Sequence, residues 1–232
     1  MLRKDGTEII AVEFHAKFNP DAWKIRNDLP PVAPIPVIRH VDAGSASAPA
    51  PSDQLELAEL SWWLIPRFAR ERGRAPTFNA RAETVARLPS FRASFRDRRC
   101  LIVVDGFYEW REKKDADRRR RFVRFADRRT FTLAGLWDRA VMAATGEEVD
   151  TCTIITTEAN ALLRAVPHTR MPVILDGAAR ARWLAPDATP AELQALLVPY
   201  PASDMEMLIT NGAYVSDDDC VAVTVGPDDA SI

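Results

Sequence analysis

Cysteine, histidine and lysine are all scarce in this chain, and each scarcity removes a class of function. Three cysteines, Cys100, Cys152 and Cys220, are spread over 232 residues. They are odd in number and far apart, which excludes a disulfide framework and any CxxC metal knuckle and fits a reducing, cytoplasmic setting. The three histidines, His15, His40 and His168, are too dispersed for a histidine-rich metal cluster, so neither a metal nor another cofactor is expected. No apolar run approaches the ~18 residues that span a bilayer. The first residues, MLRKDGTEIIAVEF, lack the small-residue cleavage site of a signal peptide. A membrane partner is therefore not expected. Internal repeats are also lacking. Against these absences stand 47% hydrophobic and 28% charged residues, enough for a packed core. At this length they predict one domain over residues 1–232, expected as a monomer.

The charge is distributed unevenly. Lysine occurs only at positions 4, 17, 24, 113 and 114, so arginine supplies most of the positive charge. Between Arg67 and Arg129 there are 20 basic and 9 acidic residues, against 11 and 24 in the remainder, within a net charge of −2. A GC-rich genome accounts for arginine in place of lysine on solvated faces, but not for its confinement to one segment. Arginine offers bidentate phosphate contacts and stacks on bases, so the segment points toward nucleic acid.

The apolar pattern predicts many short strands. Ile9–Phe14, Pro34–Val41, Leu55–Ile65, Cys100–Val104, Phe107–Trp110, Arg121–Phe125, Thr130–Trp137, Asp150–Thr157, Met171–Leu175, Met205–Thr210 and Val221–Val225 all read as extended. Helical patterning follows Asn19-Pro20-Asp21 and recurs over Ala82–Arg98, Glu158–Val166, Gly177–Leu184 and Pro190–Leu197. Residues 43–53 are a surface loop rich in Ala, Ser and Pro, and residues 217–232 an acidic terminal segment. Without a regular βαβ alternation, the fold class is α+β: a mainly antiparallel, barrel-like β-sheet core with peripheral helices.

Three local constellations carry chemistry. In Thr77-Phe78-Asn79-Ala80-Arg81-Ala82-Glu83-Thr84, Asn79 stands where an extended segment meets a helix, with Arg81 in the first turn. A cation beside free helix N–H groups makes an anion site. Equally, Asn79 is a plain cap and Arg81 a partner of Glu83. Asp105-Gly106-Phe107-Tyr108-Glu109-Trp110 delivers an acid between aromatic rings after a tight turn. Desolvation there would raise its pKa into the range of general acid–base work, unless Glu109 turns outward to an arginine. Val166-Pro167-His168-Thr169-Arg170-Met171-Pro172 sets His168 on a proline-flanked loop, either as a surface residue or as a proton shuttle near Glu109.

Taken in order, seven segments resemble the SOS response-associated peptidase family, also called abasic-site processing proteins. They are Trp62-Trp63-Leu64-Ile65-Pro66, Asn79-Ala80-Arg81-Ala82-Glu83-Thr84, Arg98-Arg99-Cys100-Leu101-Ile102, Asp105-Gly106-Phe107-Tyr108-Glu109-Trp110, Ala134-Gly135-Leu136-Trp137, Ile154-Ile155-Thr156-Thr157-Glu158-Ala159-Asn160 and His168-Thr169-Arg170-Met171-Pro172-Val173-Ile174-Leu175. The likeness runs from about Val32 to Leu184, with a weaker tail to about Val225.

The resemblance implies a protein that binds single-stranded DNA carrying abasic sites. In that family a cysteine at position 2, bared by removal of the initiator Met, condenses with the sugar aldehyde as a thiazolidine. Carried over by motif, Asn79 orients the nucleophile, Glu109 relays protons, and His168 protonates the ring oxygen as the sugar opens. Arg81 and Arg170 bind flanking phosphates; Trp62, Arg67 and Phe68 belong to the DNA-binding surface, Phe68 as a stacking group. The chain departs from the family at the nucleophile: residue 2 is Leu2, no cysteine precedes Cys100, and the amine available is that of Met1. The expected activity is therefore DNA–protein cross-link or lyase chemistry with impaired covalent trapping. The alternatives are a non-catalytic single-stranded DNA-binding homologue and an autopeptidase. Trp63, where the family has glycine, and Phe68-Ala69, where many members carry tryptophan, are two further departures.

Overall fold

The continuous apolar run after Arg99 becomes a strand buried on both faces: Cys100, Leu101, Ile102 and Val103 are all at most 1% exposed. Such a strand needs packed partners on either side. The computed structural model, which describes residues 13–16, 29–41, 54–109, 120–166, 168–210 and 220–223, supplies them. Five strands close on themselves: β1 (Pro34–His40), β2 (Leu55–Trp62), β4 (Arg99–Val104), β7 (Phe131–Val141) and β8 (Glu148–Glu158). They are ordered β7-β4-β1-β2-β8, and pairing of β7 with β8 completes the ring. Three short strands, β3 (Asn79–Arg81), β9 (Arg170–Pro172) and β10 (Ile174–Leu175), extend it. The second sheet is antiparallel, in the order β12-β11-β6-β5, with β5 (Phe107–Glu109), β6 (Arg120–Phe125), β11 (Met205–Thr210) and β12 (Cys220–Val223).

The α+β, barrel-like core is thus present, and most of its ladders are antiparallel. The ring is nevertheless mixed, because β2 and β3 both run parallel to β8. Residues on the two faces of the ring strands enter separate clusters. Leu101, Val103, Ala134, Leu136 and Ile155 pack with Phe95, Trp183, Leu184 and Leu193. These last come from helices α1 (Arg92–Asp97), α3 (Ala178–Leu184) and α4 (Pro190–Ala195). The alternate residues Cys100, Ile102, Leu133, Trp137, Cys152 and Ile154 pack with Val123, Phe125, Met205 and Met207 of the second sheet. Helices cover one face and a sheet the other, as strand alternation requires.

Four segments differ from a simple helix-and-strand reading of the sequence, three of them for a visible reason. The helical patterning of Ala82–Arg98, read from the sequence as broken at Pro89, is a series of turns up to Phe91 followed by α1, since the proline removes a donor of the i to i−4 ladder. The helix expected over Glu158–Val166 shrinks to α2 (Ala161–Arg164), because Glu158 stays in β8 and Asn160 caps the first turn. The strand Met171–Leu175 divides at Val173. There the Val173 N–H donates to the Ile155 carbonyl (2.8 Å) and its own carbonyl accepts from Ala134 (2.9 Å), so the chain passes from β8 to β7. Glu13 and Phe14, expected to end the strand Ile9–Phe14, lie in a helical turn instead. Met1, Leu2, the helix after Asn19, the 43–53 loop, Trp110 and residues 217–219 and 224–232 lie outside the described residues.

Candidate active site

Strand β8 is the backbone of the site. Along one edge it pairs first with β2, through Trp62 opposite Cys152, and then with β3, which places Asn79, Ala80 and Arg81 opposite Ile154, Ile155 and Thr156. Along the other edge β9 sets Arg170 opposite Glu158 and Pro172 opposite Thr156. Side chains alternate along strands, so Asn79, Arg81, Thr156 and Arg170 share one sheet face. Ile154 and Cys152 belong to the same face, the one on which the second sheet packs. Asn79 and Arg81 are exposed while Ala80 between them is 1% exposed. Asn79 is therefore a strand residue and does not cap a helix. The turn after it begins on the Arg81 carbonyl, which accepts from Thr84 (3.0 Å) and Val85 (2.9 Å).

Arg170 joins the first constellation to the third. Its Nη1 and Nη2 donate to the two carboxylate oxygens of Glu83 at 2.7 and 3.1 Å. Nη2 also donates to the Thr156 carbonyl and to its Oγ1 (3.3 Å). Hydrogen bonding to this guanidinium holds the Glu83 carboxyl below the usual carboxylate range. Glu83 thus partners Arg170, whereas the sequence suggested Arg81. A strand-spanning pair of this kind is invisible in local spacing, since 87 positions separate its members.

The second and third constellations meet directly. His168 Nε2 lies 3.2 Å from Glu109 Oε2, with both side chains mostly buried. Glu109 ends β5, three residues past Gly106, and its carboxyl turns inward to this histidine. Burial pushes its pKa up to about 7, opposed only in part by attraction to His168. Near neutrality the Glu109 carboxyl is therefore poised to take up or release a proton beside the imidazole.

The loop bearing His168 is fastened at both ends. The His168 N–H donates to the Leu163 carbonyl (3.2 Å), and Ala159 donates to the Thr169 carbonyl (3.1 Å). Asn160, a residue the sequence reading did not single out for the site, anchors the start of α2. Its Oδ1 accepts from the Leu163 N–H (3.2 Å) and its Nδ2 donates to the Tyr200 carbonyl (2.9 Å). The readable signal was an Asn just ahead of an apolar helical turn. Asn160→Ala is expected to lower unfolding free energy by about 1–2 kcal/mol in urea titrations, through loss of the cap and of a buried hydrogen bond.

The DNA-binding candidates have different surroundings. The Trp62 indole N–H donates to the Phe78 carbonyl (2.7 Å) and its ring meets Phe78 edge-on at 5.9 Å, so Trp62 secures the approach to β3. The Arg67 side chain is 58% exposed while its Nε contacts Asp138. Phe68, at 68%, is the most exposed large apolar side chain among the described residues. Cys100 and Cys152 are fully buried, and burial drives both thiols well above their ordinary pKa, so neither is poised as a nucleophile. Among the described residues no group of three or more His, Cys, Asp or Glu is placed to hold a metal ion, and no helix is long and apolar enough to cross a membrane.

The family model described as SOS response associated peptidase (SRAP) matches residues 2–212. Abasic site processing protein YoqW of Bacillus subtilis (strain 168) is 41% identical over 152 residues, which cover 65% of this chain and 67% of that protein. Abasic site processing protein HMCES of Xenopus tropicalis is 30% identical over 158 residues, 58% of this chain and 47% of its own length. A crystal structure of a protein from Bordetella bronchiseptica superposes with a TM-score of 0.68 at 28% identity, covering 82% of this chain and 90% of that one. A second, from Bacteroides thetaiotaomicron, gives 0.65 at 30% identity over 78% and 75%.

Proposed function

The chain belongs to the SOS response associated peptidase family, and from this premise we propose that it binds single-stranded DNA and acts on the deoxyribose of an abasic site. The observation that carries the reading is the Glu109–His168 pair, 3.2 Å apart, with its carboxyl pKa raised to about 7. An abasic sugar is mostly a closed hemiacetal, and opening it requires a proton on the ring oxygen as the C1–O bond breaks. In this reading His168 donates that proton, Glu109 accepts the proton that leaves the C1 hydroxyl as the aldehyde forms, and its return to His168 resets the pair near neutral pH. Asn79 and Arg81 line the approach on the same sheet face as Arg170. Arg81, Arg170, Arg67 and the surrounding arginine-rich segment supply salt-sensitive affinity for the strand.

The opened aldehyde condenses with an amine, forming an imine and releasing water. An α-amine with a pKa near 8 is partly neutral at pH 7 and suits this step. In this reading the adduct is an imine, which borohydride reduces to a stable amine. Incubation with an abasic oligonucleotide, borohydride trapping and denaturing electrophoresis tests the proposal. The expected result is a borohydride-dependent adduct or strand cleavage at the abasic site. Binding without either product favours the second reading, a non-catalytic strand-binding homologue. That homologue would bind intact and abasic strands equally.

A further inference from the structure

We infer that Glu83 is a resident anion on Arg170: its carboxylate fills the edge of the guanidinium that would grip a strand phosphate, so a strand gains Arg170 only by displacing Glu83, which thereby sets the affinity for nucleic acid. The inference rests on the strand-binding reading above and concerns the regulation of that same site. From β9 the Arg170 side chain crosses β8 to the turn after β3. Its fork is committed there. Nη1 and Nη2 meet the two carboxylate oxygens of Glu83 at 2.7 and 3.1 Å, and Nη2 also donates to the Thr156 carbonyl and Oγ1. The other edge, Nε with Nη2, faces inward: Nε is buried and has no hydrogen-bond partner among the described residues. A bidentate grip on phosphate needs two parallel N–H groups. Arg170 has one such edge within reach of solvent, and Glu83 holds it.

Two further arginines stand at the same residue. Arg81, exposed two positions earlier, attracts the Glu83 carboxylate, and Arg87 Nη2 donates to the Glu83 carbonyl at 3.2 Å. A carboxylate in this setting occupies ground that suits a phosphodiester, which matches it in carrying one negative charge and two acceptor oxygens. The pair is open to water, with the Glu83 side chain 48% and the Arg170 side chain 27% exposed. Ion pairs of that kind are worth little and exchange readily. A free phosphate gains almost nothing from the exchange, since it makes one ion pair and breaks another. A strand already held by its other phosphates presents this one at high effective concentration and drives the exchange. Glu83 therefore separates a bound strand from the phosphate of the surrounding solution.

The test is a double-mutant cycle on the dissociation constant of the full chain for an intact single-stranded oligothymidylate. Glu83→Gln is expected to tighten binding about fivefold, the upper end for an exposed ion pair that no longer has to be broken. In an Arg170→Gln background the same change is expected to alter binding less than about twofold, because the gain is realised only through Arg170. Unchanged or weaker binding by Glu83→Gln overturns the inference. So does an undiminished gain in the Arg170→Gln background, which is the general effect of removing a negative charge. Both results leave strand binding itself intact, whereas a wild type that binds no strand overturns the functional reading and this inference with it. The wild type also gives a measurement free of any effect of substitution on folding. Followed by NMR of the side-chain carboxyl carbons, Glu83 is expected to titrate below the usual carboxylate range in the free chain, held there by Arg170. Once the oligonucleotide is bound it is expected to return to that range or above it. A carboxyl that stays low in the complex is still paired with Arg170 and overturns the exchange.

Discussion

On the proposed function, Glu109→Gln is expected to lower turnover on the abasic sugar by about 10²–10⁴-fold and to change affinity for intact single-stranded DNA less than about twofold. The substitution keeps the shape of the side chain and its place beside His168 but removes the exchangeable proton. His168→Ala is expected to follow the same split. The wild-type rate should carry a limb with its midpoint near pH 7, because burial raises the Glu109 carboxyl to about that value. In Glu109→Gln that limb disappears. Retention of an unchanged pH 7 limb in Glu109→Gln would assign it to another group and remove Glu109 from the relay.

The same carboxyl has a calculable effect on stability. Its folded pKa lies above its unfolded one, so folding favours the protonated form. The stability it contributes is full below about pH 4.5 and is lost as pH rises through about 7. Glu109→Gln should therefore gain about 1–3 kcal/mol over wild type at pH 8 and little at pH 4. A variant that is inactive yet more stable at alkaline pH is the signature of a residue kept for its chemistry.

The second large effect is at Gly106. A Cβ added there would sit 2.3 Å from Cζ of Phe122, a buried ring, and 2.6 Å from the backbone carbonyl of Val123. The carbonyl is fixed in the β6 ladder and cannot swing aside, so β5 must separate from β6. Gly106→Ala is expected to cost about 3 kcal/mol or more in denaturant titrations, at the upper end of overpacking penalties. It should also depress sugar chemistry in whatever fraction remains folded, since β5 carries Glu109 three residues later. A loss below about 0.5 kcal/mol would mean that the β5–β6 contact is looser than this geometry requires.

Much of the sheet was legible because its strands are apolar runs of β-branched residues between breakers. The edges of Cys100–Val104, Arg121–Phe125 and Met205–Thr210 fall within a residue of the observed strands. Helices were over-read where tertiary demands compete: Glu158 has helical neighbours yet pairs with Arg170 across the β8–β9 ladder. The Glu109–His168 meeting was suggested by the chemistry of two local motifs, but the distance depends on two sheets packing. Asp138 had no local signal, because its donors Arg98 and Arg67 lie 40 and 71 positions away. Glu83 was offered Arg81 as its partner from their two-residue spacing, but it lies in the turn after β3 and meets Arg170 of β9, which that spacing does not reveal.

Strand β8 also has a consequence for how the molecule fails. Four strands, β2, β3, β7 and β9, draw their hydrogen bonds from it, and through β3 and β9 so do Asn79, Arg81 and Arg170. A hub of this kind leaves little room for the site to melt ahead of the remainder. Asn79, Arg81, Arg170 and the ring itself then belong to one cooperative unit, losing their arrangement together on heating.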